Sequence, residues 1–323
     1  MILFSILWND ILPLFVFIGA GWFLDSRFKI DIATYSRLTV MVVLPCFIFS
    51  SMYQYRGSGA DMAVIPAAMI LLLLMYLLSG VFSKFLPLSG EERDEFKAVS
   101  TFSNSGHIGA ALVMLIYTHP PFAEGASHPF LAEAMGTMAV LMILMNMAVN
   151  VFGAALIRSR GASAADVLKY LFRMPALYAA ILAVLVRMAG IPLEHSFLWP
   201  VLQHFNGAFI VLITVTIGLE LHRSRLAMPK AADFLSGALK LLLAPFLAFC
   251  LTIGFSDFLS PVAKQVFFLY AAIPSSMALI IYSVEYKNHP DFVTRSVLFN
   301  TVAGAVTVTV MIYLSRILFP VAM

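Results

Sequence analysis

Two long apolar segments, one in each half of the chain, are interrupted where a membrane helix should be most regular. Residues 95–118 carry Asn104, Ser105 and Gly106 near their middle, and residues 261–286 carry Pro274, Ser275 and Ser276. Each is long enough to cross a bilayer, because a helix rising about 1.5 Å per residue needs about 20 residues to span the hydrocarbon. Proline removes a backbone donor and collides with the preceding turn. Ser and Asn compete for backbone hydrogen bonds, and glycine costs about 1 kcal/mol against alanine in a helix. Irregular backbone at that depth is tolerated only where protein encloses it or it lines a polar cavity. Breaks at corresponding places in two halves point to the substrate site of a secondary transporter.

The surroundings of these segments exclude a water-soluble fold. Of 323 residues, 61% are hydrophobic and only 11% charged, and the mean hydropathy is +0.94; a soluble domain carries roughly 25% charged residues. The chain reads as an all-α, multi-pass protein of the lipid bilayer. Its net charge of +3 gives no reason to expect a nucleic-acid partner. Cys46 and Cys250 both fall in apolar runs, so neither a disulfide framework nor a thiolate metal site is expected. No Walker loop, HExxH, Cys/His cluster or Ser-His-Asp order is present, and the expectation is no enzyme, no cofactor and no metal. The first residues lack a basic group ahead of their apolar core, unlike a cleaved signal peptide, and are taken as a retained span.

Ten candidate spans follow: 3–24, 32–53, 61–83, 95–118, 131–157, 174–190, 196–221, 233–255, 261–286 and 292–318. All but four of the 20 Lys and Arg, the exceptions being Arg56, Arg187, Lys264 and Arg316, then fall on one side. Lys240 is counted with that majority. Basic residues mark the cytoplasmic face, so both termini are expected on the other side of the plasma (inner) membrane. The longest cytoplasmic link, 158–173, separates five spans (1–157) from five (174–323). An odd number per half reverses the second half, so two like halves would be inverted repeats with broken fourth and ninth helices.

The middle of the spans is nearly free of charge. The acids closest to it, Asp10, Glu220 and Glu285, sit toward span ends, and no carboxylate pair lies deep, whereas ion-relay proteins keep ionisable groups there. The stretch from Thr101 to Gly109 packs hydroxyls, an amide and glycines into one turn. An unwound turn there frees the N–H groups of a half-helix N-terminus, which carries about half a positive charge and attracts anions. A simple kink or close helix packing is the competing explanation. Asn146 and Asn150 share one face of the fifth span, either facing a cavity or joining helices; Asn206 in the seventh reads the same way, with joining favoured. His107 is read as a packing residue before a proton relay. Ser105 and His107 are two apart and point away from each other on a helix, which disfavours a hydrolase pair.

Several words of the sequence resemble one family. They are Ile11-Leu12-Pro13-Leu14-Phe15 leading to Gly19-Ala20-Gly21, Leu44-Pro45-Cys46-Phe47, the stretch Phe102 to Gly109, Ile217-Gly218-Leu219-Glu220, Ile273-Pro274-Ser275-Ser276 and Asn300-Thr301-Val302. In this order, across essentially the whole chain, they are similar to the auxin efflux carriers. The resemblance implies a ten-span crossed-helix fold shared with bile-acid symporters and sodium/proton antiporters. Spans one, two, six and seven would form a scaffold, often the homodimer contact; spans three to five and eight to ten would move as a transport domain. The fourth and ninth spans would cross at the substrate. Bacterial relatives are linked to malonate, malate and similar organic anions, plant relatives to auxin. Some relatives have proline at the first crossing, where this chain has Asn104-Ser105-Gly106. The expected cargo is a small organic anion held by Asn104, Ser105, Gly106 and Asn146 on one side and Pro274, Ser275 and Ser276 on the other. Pro45, His107, Asn150 and Asn206 are secondary candidates. A sodium- or proton-coupled symporter or antiporter is the alternative, and a membrane-embedded enzyme or assembly subunit the remote one.

Overall fold

The structure is a computed structural model that describes residues 6–55, 57–123, 127–159, 161–224 and 227–321. Arg56, Arg160 and Arg225, three of the basic residues used for orientation, lie outside the described residues. Everything described is helix or short connection, apart from one isolated bridge between Ser103 and Ser275. In chain order the helices are α1 (Leu7–Phe28), α2 (Ile32–Gln54), α3 (Asp61–Phe85), α4 (Gly90–Thr101), α5 (Ser105–Tyr117) and α6 (Leu131–Ile157). They continue with α7 (Ala164–Leu171), α8 (Pro175–Met188), α9 (Leu198–Arg223), α10 (Ala231–Gly254), α11 (Pro261–Ala272), α12 (Ala278–Tyr286) and α13 (Pro290–Leu318).

Local chemistry sets these boundaries. Ser89 and Glu92 form a capping box that starts α4, and Ser260 caps α11 just ahead of Pro261; each satisfies amides that a helix start leaves unpaired. Several prolines sit inside long helices without ending them, and three share one device. Pro13, Pro45 and Pro245 each follow a wide turn, in which Leu12, Leu44 and Ala244 donate five residues back to Leu7, Thr39 and Leu239. A turn with one extra residue absorbs the ring clash and the missing donor.

Seven helices are long and apolar enough to cross a membrane: α1, α2, α3, α6, α9, α10 and α13. An eighth is added if α7 and α8, bent by 60° to each other, are one span. The segments expected to be the fourth and ninth spans are not continuous helices: α4 stops at Thr101 before α5 begins, and α11 stops at Ala272 before α12 begins. The tightest helix pairing is α1 on α9, followed by α2 on α8. A Cβ on Gly21 would lie 2.1 Å from the Val215 carbonyl oxygen, and one on Gly218 would lie 2.0 Å from that of Ile18; only glycine lets the backbones approach so closely. The rest pack around α11, which contacts α6, α10 and α13. Phe15, Leu73, Phe246 and Val306 are exposed on the outside, as a lipid-facing surface requires.

Within the link 158–173, α7 fills half of the length, with a Ser163/Asp166 capping box at its start. One expectation needs correction. Lys240 is not at a span end: it is 2% exposed, inside the wide turn Leu239–Leu243 of α10. Three acids toward the starts of expected spans, Asp10, Glu95 and Asp233, are buried, each 1% exposed or less. Asp233 is paired with Arg295 at 2.6 Å and Asp10 with Arg316 at 2.8 Å, which is how a buried carboxylate is kept.

Candidate functional site

The two interruptions meet. Past Thr101 the chain is extended through Phe102, and past Ala272 it is extended through Ile273. The two extended pieces run antiparallel and exchange backbone bonds: Asn104 N–H donates to Pro274 O (2.8 Å) and Ser276 N–H to Phe102 O (3.0 Å). Unwound backbone thus finds partners in the other break, which is the satisfaction that hydrocarbon demands. The ring of Pro274 lies against Gly304 of α13, where a Cβ would sit 3.1 Å away.

Polar groups divide into those that hold this joint and those left over. Ser275 Oγ donates to Val99 O (2.6 Å) and accepts from Asn300 Nδ2 (2.8 Å), so its hydroxyl belongs to the joint. Asn150 Nδ2 donates to Asn146 O (2.6 Å), and Tyr282 OH donates to Asn150 Oδ1; Asn150 ties α6 to α12. Left over at the start of α5 are Asn104 Nδ2 and Ser105 Oγ, buried and with no hydrogen-bond partner among the described residues, as are Ser100 Oγ and Thr101 Oγ1 at the end of α4 and Asn300 Oδ1 on α13. His107 Nδ1 lies 3.1 Å from Asn104 Oδ1. An amide oxygen only accepts, so the imidazole carries its proton on Nδ1 and turns the Asn104 NH2 away from itself. The amides of Ser105, Gly106 and His107 open α5 and donate to no backbone carbonyl among the described residues, whereas Ile108 and Gly109 both donate to Asn104 O. Gly106 faces Asn146, whose Oδ1 would be 3.7 Å from a Cβ there. The start of α5 therefore gathers three free amides, one carboxamide NH2 and one hydroxyl around Asn104 to His107.

Two cavities flank the joint. One, of about 850 Å³, is bounded by Glu220 and Arg223 of α9, by Asp291 and Arg295 of α13, and reaches Met277 beside Ser276. The other, of about 820 Å³, is an apolar groove between α3, α4 and α6 that ends at Thr101 and Phe102. Asn104, Ser105 and Gly106 line neither; Asn104 and Ser105 are buried and Gly106 is half-buried in this conformation.

The structure brings together Asn104, Ser105, Gly106, His107 and Asn146, and across the joint Pro274, Ser275 and Ser276. It does not bring in Pro45, which serves the wide turn of α2. Asn206 stands on α9 with its Oδ1 buried and without a hydrogen-bond partner. Sequence reasoning missed Asn300 and Lys240 as parts of the joint. Both are polar groups inside apolar runs, a signal that was legible for Asn300, mid-way along its span.

Comparison with known proteins decides the family. The family described as membrane transport protein matches residues 6–312, nearly the full chain. The chain belongs to this family, the auxin efflux carriers. An uncharacterized transporter of Methanothermobacter thermautotrophicus is 25% identical over 281 residues, covering 86% of this chain and 87% of that one. The joint described above lies within the region the auxin efflux carrier family matches, and the protein is a multi-pass membrane transporter.

Proposed function

We propose that the protein is a secondary carrier of small organic anions that binds the cargo carboxylate at the start of α5. The observation that carries this is the set of free donors there: the amides of Ser105, Gly106 and His107, Asn104 Nδ2 and Ser105 Oγ. A helix N-terminus supplies partial positive charge without a buried formal cation, so it can hold an anion and still release it. Asn146 adjoins Gly106 and completes the pocket wall, and Ser276 and Pro274 shape the opposite side.

In this reading α4 with α5 and α11 with α12 are the fourth and ninth of ten spans, α8 is the sixth with α7 in the link before it, and the halves are inverted repeats. The order of elements supports it: each half has three spans, a broken span and a final one. Helices α1, α2, α8 and α9 form the scaffold, through whose exposed apolar residues, such as Ile181 and Leu182 of α8, two copies would pair. The remaining helices move against it. The excess of Lys and Arg on one side supports a cytoplasmic position for the 850 Å³ cavity, with both termini opposite.

The test is binding of a panel of mono- and dicarboxylates, malonate and malate included, to purified protein. Loss of a hydrogen bond to a charged group costs about 1.5–3 kcal/mol, so Asn104→Ala and Ser105→Ala should each weaken the best ligand about tenfold or more. A ligand bound equally by wild type and both variants would remove the site from the start of α5. Uptake into proteoliposomes under imposed proton or sodium gradients then identifies the driving ion.

A further inference from the structure

Both half-helices that end at the joint leave carbonyls behind. The last four C=O groups of a helix have no partner within it, and together they carry about half a negative charge. At the end of α4 the Val99 carbonyl is met by a neutral group, the Ser275 hydroxyl. At the end of α11 the Ala271 carbonyl is met by an amine: Lys240 Nζ donates to it at 2.9 Å. Lys240 belongs to the wide turn of α10, is 2% exposed, and is among the largest side chains buried in the protein.

Nothing else explains why an amine is kept there. Among the described residues no carboxylate forms an ion pair with Lys240. Buried acids on this helix and on one that packs against its wide turn are Asp233, held by Arg295 and Ser296, and Glu95 of α4, whose oxygens have no hydrogen-bond partner among the described residues. An amine in the interior is expensive and is retained for use. In carriers built on broken helices, the C-terminal ends of half-helices are where a coupling cation is held.

We propose that the Lys240 ammonium is the cation of this joint. Tethered to α10, it holds the position at the end of α11 that a sodium ion would otherwise take, and the protein works without bound sodium. The part about working rests on the carrier reading above; the part about occupancy does not. Because α10 and α11 belong to the same moving bundle in that reading, the tether travels with the joint and the contact survives the cycle.

The experiment reads melting temperature of purified protein at constant ionic strength, with sodium, choline or ethylammonium as the chloride salt. Wild type is expected to melt at the same temperature in sodium and in choline. Lys240→Met, which keeps the length and removes the charge, is expected to melt several degrees lower. Lys240→Ala is expected to fall as well and to regain at least half of the loss in ethylammonium but not in choline, since the small amine fits the vacated space. A rise of several degrees for wild type in sodium over choline overturns the proposal, as does a Lys240→Met protein that melts with wild type. Failure of ethylammonium to restore Lys240→Ala overturns it too. No transported substrate enters these readings, so a protein that behaves as expected yet carries no organic anion would refute the carrier reading and leave the role of Lys240 standing.

Discussion

At the scale of single residues, the joint separates side chains that hold the backbone from side chains that are free to bind. Ser275 and Asn300 are of the first kind, because each is fully buried and bonded to the other. Removing one leaves a buried polar group without its partner, a loss of about 1–3 kcal/mol. Ser275→Ala and Asn300→Ala should therefore each lower the melting temperature clearly. The double variant should lose less than the two losses combined, as linked groups do; strict additivity would show that the bond contributes nothing. Asn104 is of the second kind. Among the described residues its Nδ2 has no partner to lose, while its Oδ1 accepts from His107 Nδ1 at 3.1 Å, so Asn104→Ala should weaken ligand binding and lower the melting temperature by no more than the loss of that one bond. The sequence drew attention to Ser275, Asn104 and Ser105 through one property, polarity inside an apolar run, and to Asn300 only as part of a family resemblance. It did not separate the two kinds, since Ser275 differs from Ser105 only in which helices happen to face it.

At the scale of elements, the packing of α1 on α9 depends on two glycines that face each other's backbone. A Cβ on Gly19, only two residues before Gly21, would meet nothing within 4 Å, so this glycine serves as the internal control. Gly218→Ala would force its methyl into the Ile18 carbonyl and the Trp22 amide, neither of which can turn aside. Overpacking of this sort costs about 1–3 kcal/mol. Gly21→Ala and Gly218→Ala should both reduce folded yield and melting temperature, while Gly19→Ala should change neither. If Gly19→Ala is as harmful as Gly21→Ala, the effect is one of helix backbone preference and not of close approach. Both words, Gly19-Ala20-Gly21 and Ile217-Gly218, were visible in the sequence, but only as a family resemblance. What they do requires knowing that α1 lies on α9, and nothing local says so. Helix ends were more legible. The windows 32–53 and 131–157 agree closely with Ile32–Gln54 and Leu131–Ile157, because hydropathy and caps act within a few residues. The wide turns that admit Pro13, Pro45 and Pro245 were not foreseen, since a proline by itself predicts a kink.

At the scale of the whole molecule, the hidden features are contacts between distant parts of the chain. One of them joins Asp10 of α1 to Arg316 of α13, at 2.8 Å, with His119 3.9 Å from the same carboxyl. Arg316 also lies over the ring of Phe122, which follows α5. In the carrier reading α1 is scaffold and α13 is transport domain, so this pair bridges the two at the end opposite the 850 Å³ cavity. In that reading the pair would act as a latch, holding the outer side closed while the cytoplasmic side is open. Asp10 is 1% exposed and Arg316 is mostly buried, and breaking a buried pair by removing one partner costs about 3–5 kcal/mol. That cost falls on the closed-outside arrangement, where the groups meet, and is relieved in any arrangement that gives Arg316 access to water. The population should shift outward accordingly. Thr294 of α13 lines the cavity, and Thr294→Cys in a background lacking Cys46 and Cys250 reports its accessibility. In inside-out vesicles a membrane-impermeant maleimide should label it readily. Adding Asp10→Asn or Arg316→Gln should slow that labelling about tenfold or more, since each 1.4 kcal/mol of shift is a factor of ten in population. Labelling that stays equally fast with either change would mean that the two bundles are held together by packing alone, and that the ion pair serves only to bury its own charges.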